Sequence, residues 1–105
     1  MTPRWICLAG LALPILLSVS ARAETIRISI DNLIFSPSEV QAKVGDTVEW
    51  INNDVFAHTA TATNRDWDVA IAPQKTARLT LTKPGAVDYF CKYHPNMKAR
   101  LTVAP

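Results

Sequence analysis

Between Tyr89 and Met97 the chain reads Tyr89-Phe90-Cys91-Lys92-Tyr93-His94-Pro95-Asn96-Met97. A thiol, an imidazole and a thioether fall at Cys-x2-His-x2-Met, directly after a run that alternates like a β-strand. Three soft or borderline ligands on so short a stretch can point at a single metal ion. The one other histidine, His58, follows a second strand-like run, Thr47-Val48-Glu49-Trp50-Ile51. His58, Cys91 and His94 with a weak thioether from Met97 make the trigonal His2Cys set with an axial Met, which suits copper in electron transfer.

Each residue also has a plainer role. An isolated Cys is ordinarily a small buried hydrophobe and a Met a gap-filler of cores, and an isolated His is ordinarily a surface residue. Their spacing favours ligation over those roles. The same set argues against zinc, whose structural sites take four Cys or His ligands. A binuclear copper centre needs a second thiolate in the folded domain. A Cys–His nucleophile needs an orienting third residue, and no recognisable motif supplies one.

At these residues the sequence resembles the cupredoxins, the small blue copper proteins, and in particular their amicyanin-like or plastocyanin-like branch. Cys91, His94, Pro95 and Met97 stand as in that branch's ligand stretch, and Val44-Gly45-Asp46-Thr47-Val48-Glu49-Trp50-Ile51-Asn52 is similar to its strand leading to the first ligand His. The similarity runs from about Ile26 to Val103. It implies a cupredoxin-like Greek-key β-sandwich with one copper ion cycling Cu(II)/Cu(I). Two positions depart from the pattern. Thr59 follows the first ligand His where Asn is frequent, which changes the side-chain bracing of the site and leaves the backbone N–H able to bond the thiolate. Tyr93 replaces a frequent Pro and regains a backbone N–H. That N–H is expected to give the Cys91 sulfur a second hydrogen bond and raise the reduction potential.

The start of the chain is set apart from the fold. Arg4 precedes an apolar run from Ile6 to Leu17, and Ala21-Arg22-Ala23 fits a small-residue cleavage site. This predicts a signal peptide over 1–23, cleaved after Ala23, and a copper-binding domain over 24–105 in the periplasm. The run falls short of the ~20 apolar residues that span a bilayer. Cleavage removes Arg4 and Arg22 from the 11 basic residues and leaves 9 against 9 acidic ones. A near-neutral domain gives no argument for nucleic acid or an anionic membrane surface. Cys7 leaves with the signal, so Cys91 is alone, and a lone thiol in an oxidising compartment calls for a metal or burial to protect it.

Along the domain, Thr25 to Ile30 alternates with Ile26, Ile28 and Ile30 on one face. Leu33 and Phe35 are expected to reach the core from the following bend, and Val40, Ala42 and Val44 to continue on one face. Gly45-Asp46 signals a turn. Val48 and Trp50 point inward, and Asn52-Asn53-Asp54 marks a loop before a Thr-rich strand from His58 to Thr63. Asn64 to Gln74 has no legible pattern beyond Trp67 and Ile71, expected at one edge of the core. Thr76 to Thr82 alternates again, Lys83-Pro84-Gly85 reads as a turn, and Leu101 and Val103 lie on a final strand. About seven or eight short strands separated by turns, without helical periodicity, make an all-β antiparallel sandwich.

The function implied by the resemblance is that of a monomeric one-electron carrier, not an enzyme. Phe56, Ala57, Pro95 and Tyr93 are expected to form an apolar docking rim around His94, and Lys92, Lys98 and Arg100 to favour an acidic partner. The amicyanin-like stretch implies a periplasmic dehydrogenase, such as methylamine dehydrogenase, as donor and a cytochrome as acceptor. The alternative is copper binding and trafficking without electron transfer. A trafficking protein is expected to spend more Met and His on an open site than the single Met97 and two His of the expected mature domain.

Overall fold

The computed structural model describes residues 22–105, with Gly10 and Pro14. The expected signal segment and Cys7 fall almost wholly outside the described residues. Nine strands follow in order: β1 (Thr25–Asp31), β2 (Ile34–Ser36), β3 (Glu39–Lys43), β4 (Thr47–Asn52), β5 (His58–Ala62), β6 (Asp68–Ile71), β7 (Thr76–Thr80), β8 (Gly85–Cys91) and β9 (His94–Ala104). No helix occurs among the described residues, so the all-β sandwich expected from the alternation is what forms.

The strands make two sheets, ordered β2-β1-β4-β7 and β3-β9-β8-β5-β6. Both are mixed rather than antiparallel throughout. β1 runs parallel to β4, with Ile28 opposite Trp50, and β3 runs parallel to β9, with Val40 opposite Leu101. Each strand alternates, so one face of each sheet turns to the shared core. That core includes Ile28, Ile30, Phe35, Val48, Trp50, Ile71, Tyr89 and Leu101. Trp50 lies at its centre, edge-on to Tyr89 and tilted against Trp67. Its indole N–H donates to the Tyr89 hydroxyl at 3.3 Å. Burial pushes the Tyr89 phenol up to about 12, with the Trp50 bond acting the other way.

Phe35 and Ile71 are buried as expected, and Trp67 packs against the core. Leu33 does not reach it. Asn32 and Leu33 both take positive φ, 50° and 65°, which breaks the alternation and leaves Leu33 exposed. Val44, last before the Gly45 turn, is exposed as well. The stretch from Asn64 to Gln74 holds the short edge strand β6 and two turns.

Asp46 lies in the turn just before β4. Nearly fully buried, it accepts the backbone N–H groups of Glu24 and Lys43, each at 2.9 Å, and the Lys43 ammonium at 3.0 Å. The Glu24 N–H does most to hold its carboxyl below the ordinary 3.8; burial opposes this, and the bonds and charge of Lys43 reinforce it. A carboxyl lowered on folding contributes stability that is complete above its unfolded value and lost as pH falls through the folded one. Asp46→Asn is therefore expected to be less stable than the parent at pH 7, with the gap closing as pH falls below about 4. Denaturant midpoints of the metal-free protein at the two pH values check this.

Candidate metal centre

The stretch that carries Cys91 and His94 is a tight hairpin. β8 ends at Cys91 and β9 begins at His94, so Lys92 and Tyr93 form a two-residue turn. The pairing then jumps: Cys91 is opposite His94, whereas Phe90 is opposite Lys98. Pro95, Asn96 and Met97 thus have no partners on β8. Such bulges re-aim side chains beside functional sites, and here Met97 ends up buried at 3% exposure. His58 arrives from the other side as the first residue of β5, after the chain has crossed from one sheet to the other.

The structure brings His58, Cys91 and His94 together. Their donor atoms lie within 4.8 Å of one another, and Cys91 Sγ stands 3.7 Å from Nδ1 of each histidine. Metal bonds of about 2.0–2.1 Å to nitrogen and about 2.3 Å to sulfur, as zinc makes, span about 3.7 Å when opened at a trigonal angle. The donor set therefore fits a trigonal His2Cys metal. Cys91 and the His58 side chain are sealed from solvent. His94 is half-buried, with its ring 6.2 Å from that of exposed Phe56.

Neighbouring groups decide which atoms are presented. The Thr59 N–H donates to Cys91 Sγ at 3.3 Å, as expected despite the change from Asn. Tyr93 N–H makes no such bond among the described residues, so the expected second donor is not found. Asp54, which sequence reading passed over, accepts from His58 Nε2 at 2.8 Å. A carboxylate only accepts, so Nε2 carries the hydrogen and the Nδ1 lone pair faces the cluster. The i, i+4 spacing of Asp54 and His58 was the available signal, but it carries meaning only on a defined backbone.

Asp54 is itself firmly held. Its carboxylate accepts the N–H groups of Asn32 at 2.7 Å and Leu33 at 3.0 Å, at the left-handed turn between β1 and β2. Its own N–H donates to Asn52 Oδ1 at 2.9 Å, and the Asn52 amide donates to the carbonyls of Phe56 and Ala72. Burial works to raise the Asp54 carboxyl, but the Leu33 N–H, the His58 ring and the Asn32 N–H together hold it below its ordinary value. Partners of this kind commonly govern metal affinity by ~10–100-fold. Asp54→Ala is expected to weaken copper binding by about that factor, measured by competition with a chelator; parent-like affinity would contradict the role.

Exposed apolar side chains gather at this end: Phe56 at 55%, Tyr93 at 62% and Val55 at 68% exposure, with Ala57 and Pro95 also exposed. The expected basic cluster is largely neutralised. Lys92 pairs with Asp68 at 2.7 Å and Arg100 with Asp88 at 3.6 Å, which leaves Lys98 without an ion pair among the described residues.

A family model described as a Cupredoxin-like domain matches residues 5–103. Amicyanin from Paracoccus denitrificans is 30% identical over 82 residues, covering 72% of this chain and 63% of that protein. Plastocyanin from Scenedesmus fuscus is 31% identical over 96 residues, covering 75% of this chain and 97% of that one. The chain spans just under two thirds of the length of the two Paracoccus amicyanins it matches. The solved amicyanin of Paracoccus versutus superposes with a TM-score of 0.65 at 28% identity, covering 82% of this chain and 85% of that one. A reduced Cu(I) form of an amicyanin mutant superposes at 0.68 and 29% identity, covering 75% and 81%. Since the match takes in both sheets and every member of the cluster, the chain belongs to the cupredoxin-like family, whose single copper ion the cluster fits.

Proposed function

We propose that this protein is an exported one-electron carrier in which His58, Cys91 and His94 would hold one copper ion, with the Met97 thioether as a weak further donor. The observation that carries the reading is the sealed Cys91 Sγ held 3.7 Å from two imidazole nitrogens. Copper bound there supplies a one-electron Cu(II)/Cu(I) couple. The chain's own groups do the rest. Asp54 locks the His58 ring through Nε2, and the Thr59 N–H offsets negative charge on the Cys91 sulfur. The β8–β9 hairpin fixes Cys91 and His94 relative to each other. Ligands anchored on strands in this way keep one geometry through a change of charge.

Of the three residues, His94 lies nearest the surface, beside Phe56, Tyr93 and Pro95, and this supports electron exit through its ring. A small apolar rim suits brief docking to redox proteins, a periplasmic dehydrogenase as donor and a cytochrome as acceptor. With Lys92 and Arg100 already paired, such docking relies on the apolar rim more than on attraction to an acidic partner. The carrier acts as a monomer in the periplasm after cleavage behind Ala23. That boundary has support in the fold: a new terminus at Glu24 places its ammonium where Glu24 N now sits, 2.9 Å from the Asp46 carboxylate.

Voltammetry of the copper protein, with a chelator challenge in both oxidation states, tests the reading against copper trafficking. A carrier gives a reversible one-electron couple and keeps its metal in both states. Ready surrender of Cu(I) to the chelator, without a reversible couple, contradicts it.

A further inference from the structure

We propose that Thr59 is a positioning residue for the Cys91 thiolate, acting through a closed circuit of hydrogen bonds that runs to the surface pair of Lys92 and Asp68. The inference rests on the reading of Cys91 as the thiolate ligand. Thr59 is 2% exposed, and its hydroxyl accepts the Lys92 backbone N–H at 2.9 Å. The same hydroxyl lies 2.8 Å from that of Thr61, and Thr61 donates to Asp68 Oδ1 at 2.8 Å. Asp68 Oδ2 in turn accepts from Lys92 Nζ at 2.7 Å.

The chemistry of these groups leaves one arrangement. A carboxylate only accepts, and a hydroxyl has a single hydrogen. The Thr61 hydrogen goes to Asp68, so the Thr59 hydrogen goes to Thr61, and a Thr59 lone pair is left for the Lys92 N–H. Lys92 therefore enters the circuit twice, by its backbone and by its side chain. Such chains polarise each member in the same sense.

The circuit stands where the sheet stops. β5 pairs with β8 through Thr61 opposite Phe90 and Ala62 opposite Tyr89. Continuing that register would set Thr59 opposite Lys92, but the Thr59 N–H is turned to Cys91 Sγ instead. Its hydroxyl then takes the place of a ladder partner for the residue after Cys91. One side chain thus ties down the peptide following the thiolate, while the same residue's backbone bonds the sulfur.

The test compares Thr59→Val, which keeps the shape without the hydroxyl, with Thr59→Ser, Asp68→Ala and the double variant Thr59→Val/Asp68→Ala. The Lys92 amide exchange rate in the metal-free protein is the first readout, and the thiolate absorption band of the Cu(II) protein is the second. Loss of its acceptor is expected to speed Lys92 exchange by about tenfold or more in Thr59→Val, with the band shifted. Thr59→Ser stays near the parent on both readouts. Asp68→Ala speeds exchange by a smaller factor, and the double variant exchanges no faster than Thr59→Val alone, because the circuit is already open. Parent-like exchange in Thr59→Val, or an undiminished Asp68→Ala effect on top of it, overturns the proposal. Should Thr59→Val fail to fold, parent-like Lys92 exchange in Asp68→Ala, changed at a half-exposed position, overturns it equally. Because exchange is read without metal, a protein that binds no copper would sink the carrier reading and leave this result to be judged separately.

Discussion

Cys91→Ser is expected to yield a folded domain without a blue chromophore and with copper affinity lowered by more than about 100-fold, beyond the ~10–100-fold that outer partners command. Serine differs from cysteine by one atom at a position with no solvent exposure, so packing is nearly conserved. Its hydroxyl finds polar neighbours already in place, the Thr59 N–H at 3.3 Å from the present sulfur and the two Nδ1 atoms at 3.7 Å. The usual cost of burying an unsatisfied hydroxyl, ~1–3 kcal/mol, is thereby largely avoided. What disappears is the soft, easily ionised donor that suits copper. Titration calorimetry and a visible spectrum read the two losses. An intense band surviving in the Ser variant would show that it does not arise from the Cys91 thiolate.

Trp50→Ala should have the largest effect on stability, about 3–5 kcal/mol, as for large aromatic truncations in other cores. Trp50 is 0% exposed, touches Tyr89 and Trp67 across the sandwich, and donates to the Tyr89 hydroxyl. Its removal opens a cavity between the two sheets and strips a deeply buried phenol of its partner. A domain of about eighty residues has roughly 4–12 kcal/mol in all, so the metal-free variant is expected to be marginal at 25 °C. Saturating copper should restore part of the loss by mass action, about 2.7 kcal/mol at a hundred times the dissociation constant. Urea unfolding followed by far-UV circular dichroism, with and without metal, measures both numbers. A metal-free variant within about 1 kcal/mol of the parent would show that Trp50 is not the centre of the core.

The grouping of His58, Cys91 and His94 was legible in the sequence because such residues are chemically rare and two of them are closely spaced. Cys91, His94 and Met97 lie within seven positions, and with two histidines in the chain His58 was the one residue left to complete the set. The inward face of β8 followed from Val87, Tyr89 and Cys91. The parallel pairing of β1 with β4 and of β3 with β9 was not legible. A half-buried strand alternates in the same way whichever direction its neighbour runs, and both partners are distant in sequence. β6 escaped because four residues at a sheet edge are too few to establish a period. Leu33 misled because positive φ on a large residue is rare, and nothing in the sequence announces it. Asp54, Thr61 and Asp68 act through bonds made only once separate strands meet, so no local pattern marks them.

The measurement that tests the central claim most directly is the visible and EPR spectrum of the domain 24–105 loaded with Cu(II). An intense blue thiolate-to-copper band with narrow copper hyperfine splitting is the predicted result, since it requires the Cys91 sulfur and two imidazoles on one copper. A pale solution with an ordinary cupric EPR signal, or no tight binding, would contradict it.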